Sequence, residues 1–135
     1  MFRPGPADRT GVHSPDTAAS LVAPMLEGLD REHLLAVLLD TRHRLLAIVT
    51  ISIGSIDRTF MSPREVFREA LLHNASALVV AHNHPSGNPE PSTEDVICTR
   101  LLARGGEIMD IPMLDHIIVG AHGRWVSLDR RRVLQ

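Results

Sequence analysis

Two histidines one residue apart, His82 and His84, stand at the end of an apolar run in the segment AHNHPSGNPEPSTED, and Ser92 and Asp95 follow a short loop later. On a strand, residues i and i+2 share a face, so both imidazoles point the same way. The loop lets the chain turn back and set Asp95 beside them. Asp95 falls three residues after Ser92 at a helix start, where the positive end of the helix dipole favours a carboxylate. Pro85, Pro89 and Pro91 stiffen the connection and make that geometry less costly to hold. Two imidazoles and one carboxylate suit a divalent metal with an open fourth position, the arrangement of a catalytic zinc. The plainer reading is a pair of turn histidines closing a strand, with Ser92 serving only as a helix N-cap.

Hydrolysis at such a metal needs a base to take a proton from water and a donor to stabilise the developing oxyanion. Ser92 is close enough in sequence to be the donor. Glu32 is the candidate base, because an acid directly before the apolar run HLLAVLL is otherwise an odd choice. Its alternative reading is a solvated residue at a strand start, and no spacing rule connects it to residues 82–95.

The elements that must position these groups follow from patterning. Residues 14–29 read as a helix with Ser14 as cap, Pro15 at its first position and Pro24 as a bend or break. Residues 32–40 form a mostly continuous apolar run, a buried strand, and 45–53 a second strand paired with it as a hairpin. The segment Gly54-Ser55-Ile56-Asp57 ends it. Residues 62–73 give the clearest helix signal: Ser62 and Glu65 form a capping box around Pro63, and Val66, Phe67, Ala70 and Leu71 form an apolar stripe. Residues 77–82 are a third strand. Ser92 caps a helix over 93–104, which Gly105-Gly106 should stop. Residues 107–120 should hold one or two more strands, and 124–128 a last one. The sum is an α/β domain over 14–129, a mixed sheet with helices packed on it, with a flexible lead-in at 1–13 and a tail at 130–135.

The composition fits one domain of 135 residues with an apolar fraction of 44%. A net charge of −2 and a pI near 6.4 argue against a strongly basic nucleic-acid footprint. All fourteen basic residues are arginine, so no lysine is present to form a Schiff base. The single cysteine, Cys98, cannot form an internal disulfide or a multi-cysteine zinc site. No apolar run is long enough for a membrane span, and the N-terminal segment lacks the apolar core of a secretory signal. A cytoplasmic location is the expectation.

H-x-H-P-x(6)-S-x-x-D, with an upstream glutamate leading an apolar strand, resembles the JAMM motif of the JAB/MPN metalloproteases. The match lies on His82, His84, Pro85, Ser92 and Asp95, with EHLLAVLLD supplying Glu32. The segments REHLLAVLLD, GSID, SPREVFREALLHNASALVVAHNHPSGNPEPSTED and LDHIIVG extend the resemblance to the bacterial RadC-like branch over about residues 30–120. The resemblance implies a three-layer α/β fold like that of cytidine deaminases, with one zinc held by His82, His84 and Asp95 and a water as fourth ligand. It further implies Glu32 as general acid/base, Ser92 supporting the oxyanion, and a peptide or isopeptide bond in a protein or peptide substrate as the target. Members of this branch often carry an N-terminal helix-hairpin-helix region, for which too little sequence precedes residue 30. The alternative function is a non-proteolytic module in DNA metabolism, suggested by the branch's association with repair. A third is a metal-bound but catalytically idle scaffold.

Other zinc signatures fit less well: neither H-E-x-x-H nor the H-x-E with P-C-x-x-C of nucleobase deaminases is present. Asn83, between the histidines, reads as a turn former on the opposite face. His116 reads as a hydrogen-bonded residue behind the ligands. Asp115, its neighbour on a strand, must point the other way. Cys98 reads as a small buried residue, and Arg130-Arg131-Arg132 as a solvated terminus.

Overall fold

A computed structural model of the chain describes residues 1–5, 9–54 and 61–134. Helix α1 spans Pro15–Leu26 and strands β1 and β2 span Glu32–Leu39 and Leu45–Gly54. Helix α2 spans Pro63–Leu72, β3 Ala77–Asn83 and α3 Thr93–Met109. Strands β4, Met113–Val119, and β5, Trp125–Ser127, complete the described elements. Residues 55–57 of the segment expected to end β2 lie outside the described residues.

The strands form one mixed sheet in the order β2-β1-β3-β4-β5. Only β3 and β4 run parallel, and α3 makes the crossover between them. The apolar runs of β1 and β3 are continuous because both strands are central and covered on both faces. On one face Leu35, Val37, Val79 and Ala81 pack against Ala18, Val22 and Leu26 of α1. On the other, Leu34, Ala36, Leu78 and Val80 pack against Val66 and Phe67 of α2 and Cys98 and Leu102 of α3. The result is a three-layer α/β/α sandwich, and Cys98 is core.

Along the outer edge of β2, Phe2 bridges to Ile48 and Gly11 to Arg44, so parts of the expected lead-in extend the sheet. Val12 is buried under α1. At the other end Arg131 makes a two-pronged pair with Glu90 at 2.8 and 2.9 Å, tying the arginine run to the loop before α3.

Three local readings are corrected. Ser14 caps α1 through Thr17 N, but Pro24 neither splits nor ends the helix before Leu26. The capping box expected at Ser62 and Glu65 does not form. The Ser62 side chain makes no capping bond, its backbone carbonyl takes the Glu65 and Val66 N–H groups, and the Glu65 carboxylate turns to Arg68 at 3.8 Å. Finally, Gly105-Gly106 do not stop α3, which continues to Met109 and ends at Asp110 in the left-handed region. Only one strand, β4, therefore occupies 107–120.

The glycine pair is there for close approach. A Cβ on Gly105 would stand 2.8 Å from the Phe67 ring, and one on Gly106 would stand 2.7 Å from the Ile111 carbonyl and 3.1 Å from Met113 N. Helix propensity favours Ala over Gly by about 1 kcal/mol. Backbone cannot move aside as a flexible side chain can, so overpacking of roughly 1–3 kcal/mol outweighs it. Gly106→Ala is expected to lower the melting temperature in a thermal unfolding scan. An unchanged or raised value would contradict the packing account.

Candidate metal centre

The site forms where β3 leaves the sheet and α3 begins. His82 is fully buried on the α3 side of β3, and His84 follows just past the strand end. The His84 backbone N–H bonds the Val119 carbonyl at 2.9 Å, so β4 fixes the start of the loop. Farther along, the Gly87 carbonyl accepts from Ala121 N at 2.9 Å and from Arg124 Nη2 at 2.8 Å. The loop is thus pinned to the β4–β5 turn as well as to Arg131.

At the α3 N-terminus the capping box is complete. Ser92 Oγ accepts from Asp95 N at 3.0 Å, and Asp95 Oδ2 accepts from Ser92 N at 2.8 Å. This cap aims the carboxylate at both imidazoles. Asp95 Oδ1 lies 3.3 Å from His82 Nε2, Asp95 Oδ2 lies 3.0 Å from His84 Nε2, and the two Nε2 atoms are 3.1 Å apart. Ser92 spends an oxygen lone pair on the cap, which does not consume its O–H proton.

Glu32 arrives by register. In the β1–β3 ladder Leu34 pairs with His82. Glu32 lies two residues before Leu34, on the same face of β1, and so leads toward the strand end that carries His84. Glu32 is half-buried, and its charge is one of those that raise the pKa of His84. The sequence offered no route to this contact, because it depends on which residues of two distant strands pair.

Asn83 holds this end of the sheet together. Its side-chain oxygen accepts from His33 N at 2.7 Å and its Nδ2 donates to the Arg31 carbonyl at 3.0 Å. The amide therefore grips the backbone on either side of Glu32. It faces away from the histidines, as a residue between them must, but it is a buried brace and no turn former. A buried amide next to a strand end was the available signal.

Behind His82 lies His116. His82 Nδ1 is 2.7 Å from His116 Nε2, and His116 Nδ1 is 2.7 Å from Thr99 Oγ1, which donates to the Asp95 carbonyl at 2.6 Å. His116 is buried and hydrogen-bonded, as its sequence reading had it. Thr99 was missed. It sits one helical turn after Asp95, on the buried face of α3. Asp115 points to the other face, where it accepts from Ser127 Oγ at 2.7 Å and from Asp129 N at 3.0 Å.

The electrostatics follow from burial and pairing. Hydrogen bonding to Asp95 holds the His84 pKa above its ordinary value, against the opposing effect of burial. Burial pushes His82 down and outweighs the carboxylate beside it. Burial also pushes His116 well below the ordinary range. For Asp95 burial acts upward, but the neighbouring His82 and His84 imidazoles and the Ser92 N–H prevail and hold it far below the usual carboxylate range.

These donors fit a metal ion. His84 Nδ1 bonds the Asn88 carbonyl at 2.9 Å, and a carbonyl only accepts, so the neutral ring keeps its proton there and leaves Nε2 bare. Asp95 Oδ1 is buried and accepts no hydrogen bond. Ligand atoms of His82, His84 and Asp95 all lie within 4.8 Å of one another, the one such group among the described residues. A tetrahedral ion with bonds of about 2.0–2.2 Å needs ligand–ligand edges of about 3.3–3.6 Å. The His82 and His84 Nε2 atoms, 3.1 Å apart, fall only slightly short of such an edge, and each faces its own Asp95 oxygen, at 3.3 and 3.0 Å. A cleft of about 260 Å³ lined by Leu29, Asp30, Asn83, His84 and Pro85 opens beside the cluster.

A three-layer α/β/α sandwich with a His-x-His pair at the end of a central strand and an aspartate at the next helix start is the architecture of a JAB/MPN-type domain. Residues 12–133 match the model of the RadC-like JAB domain, and the chain belongs to that family. A UPF0758 protein of Desulfitobacterium hafniense is 44% identical over 129 residues, 96% of this chain and 56% of the relative. UPF0758 proteins of Chloroflexus aurantiacus and Synechocystis are each 44% identical, over 92% and 95% of this chain and 54% and 52% of their own lengths. The chain thus spans about half the length of the curated relatives it matches. No helix among the described residues is long and apolar enough to cross a membrane.

Proposed function

We propose that this domain is a zinc-dependent hydrolase acting on peptide or isopeptide bonds in the cytoplasm. The observation that carries the reading is the convergence of three metal-type donor atoms, two from imidazoles and one from a carboxylate, with an acid from another strand near enough for its charge to act on His84. His82, His84 and Asp95 would hold the metal. The chemistry zinc supplies when bound is Lewis acidity toward a carbonyl and toward water.

The chain's own residues do the rest. Glu32, on the face of β1 that carries Leu34 toward His82, takes the proton of the attacking water and returns it to the departing nitrogen as the C–N bond breaks. The Ser92 hydroxyl, whose cap contact uses only a lone pair, donates to the carbonyl oxygen as charge builds on it. Asn83 keeps Glu32 in place through the peptide groups on either side of it.

Protein purified without metal-affinity resin is the test. Mass-spectrometric metal analysis is expected to give near one zinc per chain, with hydrolysis of peptide or isopeptide-linked substrates abolished by chelation and restored by zinc. Protein without a divalent ion at near-equal ratio would count decisively against the reading. Asn83→Ala is expected to keep its zinc and lose roughly 100-fold in turnover, the scale on which a misplaced catalytic group costs rate. Equal losses of metal and turnover would show that Asn83 supports the ligands instead.

A further inference from the structure

Each link behind His82 has a direction. Thr99 has a single hydroxyl proton, and it goes to the Asp95 carbonyl at 2.6 Å. At 2.7 Å from His116 Nδ1, Thr99 Oγ1 can then only accept, so His116 carries its proton on Nδ1. A neutral His116 so protonated has a bare Nε2, which accepts from His82 Nδ1 at 2.7 Å. His82 therefore carries its proton on Nδ1 and presents a bare Nε2, 3.3 Å from the Asp95 carboxylate.

We propose that Thr99 and His116 are positioning residues for the metal centre, forming a one-way hydrogen-bond chain that starts at the Asp95 carbonyl and fixes the tautomer of His82. Asp95 thus acts twice: its carboxylate faces the ligand nitrogen, and its backbone carbonyl determines that this nitrogen is bare. The proposal concerns which nitrogen holds the one proton of a neutral ring, not whether the ring is charged. His84 reaches the same tautomer by a separate route, through the Asn88 carbonyl. All four residues of the chain, Asp95, Thr99, His116 and His82, are fully buried, so water cannot substitute for a missing link.

The inference rests on reading the cluster as a metal site, but its first test needs no metal. Two-bond ¹H–¹⁵N NMR on metal-free protein, at a pH where the histidines are neutral, is expected to show His82 and His116 protonated at Nδ1. Finding His82 protonated at Nε2 overturns the proposal. Thr99→Val removes the hydroxyl at almost constant shape. It is expected to invert both rings to the Nε2–H form and to weaken zinc binding, read by chelator competition, by about 10–100-fold. Thr99→Ser is expected to restore both. Thr99→Val with wild-type tautomers and wild-type affinity overturns the proposal. If the valine variant does not fold, the wild-type spectrum and the serine variant still decide it. Wild-type protein that shows the expected tautomers but takes up no zinc supports this chain of bonds and removes the hydrolase reading.

Discussion

Asp95→Asn is expected to weaken zinc binding by two to three orders of magnitude while leaving the sheet intact. A structural zinc site of four ligands is worth about 10–16 kcal/mol, so one ligand carries roughly 3–4 kcal/mol. Asparagine retains an oxygen that can still accept from Ser92 N, so the helix cap survives in part. What it loses is the negative charge facing His82 and His84 at 3.3 and 3.0 Å. Chelator competition followed optically measures the affinity, and circular dichroism confirms the fold. Affinity within tenfold of wild type would remove Asp95 from the ligand set.

The same substitution should change how the metal-free protein responds to pH. Asp95 has a lowered pKa, so its contribution to stability is present above the ordinary carboxylate value of about 3.9 and is lost as pH falls through its own lower one. His84 has a raised pKa, so its contribution is present below the ordinary imidazole value of about 6.5 and is lost as pH rises through its higher one. The pair therefore stabilises the metal-free fold most in mildly acidic solution. Zinc must displace the His84 proton, so wild-type affinity is expected to fall as pH drops below neutrality. Calorimetry in buffers of different ionisation enthalpy should detect that proton. Zinc binding that releases none below neutrality would contradict the raised pKa of His84. In Asp95→Asn the mildly acidic stability maximum should flatten.

Glu32→Gln is the second large effect, and it separates chemistry from binding. Glutamine keeps the shape and the hydrogen-bonding reach of the side chain but cannot take up a proton at neutral pH. Zinc content is expected to be unchanged, and turnover to fall by about 10²–10⁴-fold, the usual contribution of a general base. Parallel metal analysis and single-turnover hydrolysis would measure this. If Glu32→Gln hydrolyses substrate at the wild-type rate, the base lies elsewhere. If it loses its zinc, Glu32 belongs with the ligands.

The clustering of His82, His84 and Asp95 was legible in the sequence because it is local. Thirteen positions separate His82 from Asp95, and strand periodicity, proline-stiffened loop and helix cap each have short-range signatures. The three-layer sandwich was legible for a similar reason, since its central strands announce themselves as unbroken apolar runs. Glu32 was a different case. Its sequence signal, an acid ahead of a buried strand, says nothing about which strand will lie beside it. The extent of α3 was misread because two glycines look like a stop when only the helix is considered. Their meaning lies in Phe67 and Ile111, which approach too closely for any side chain. Asn83 and Thr99 were undervalued on the same ground: their partners, Arg31, His33 and His116, come from other strands or the loops beside them.

The antiparallel register of β1 on β3 acts as an error check on the whole domain. Residues 82–95 can gather three metal-type donors from one contiguous stretch, whatever β1 does. Slipping β1 by a single residue would leave that gathering untouched yet carry Glu32 through to the opposite face of the sheet. On the proposed function, misassembly of this kind would leave metal binding in place and remove turnover. The Asn83 amide, clasping the peptide groups around Glu32, is the latch that makes the correct alignment the one the chain keeps.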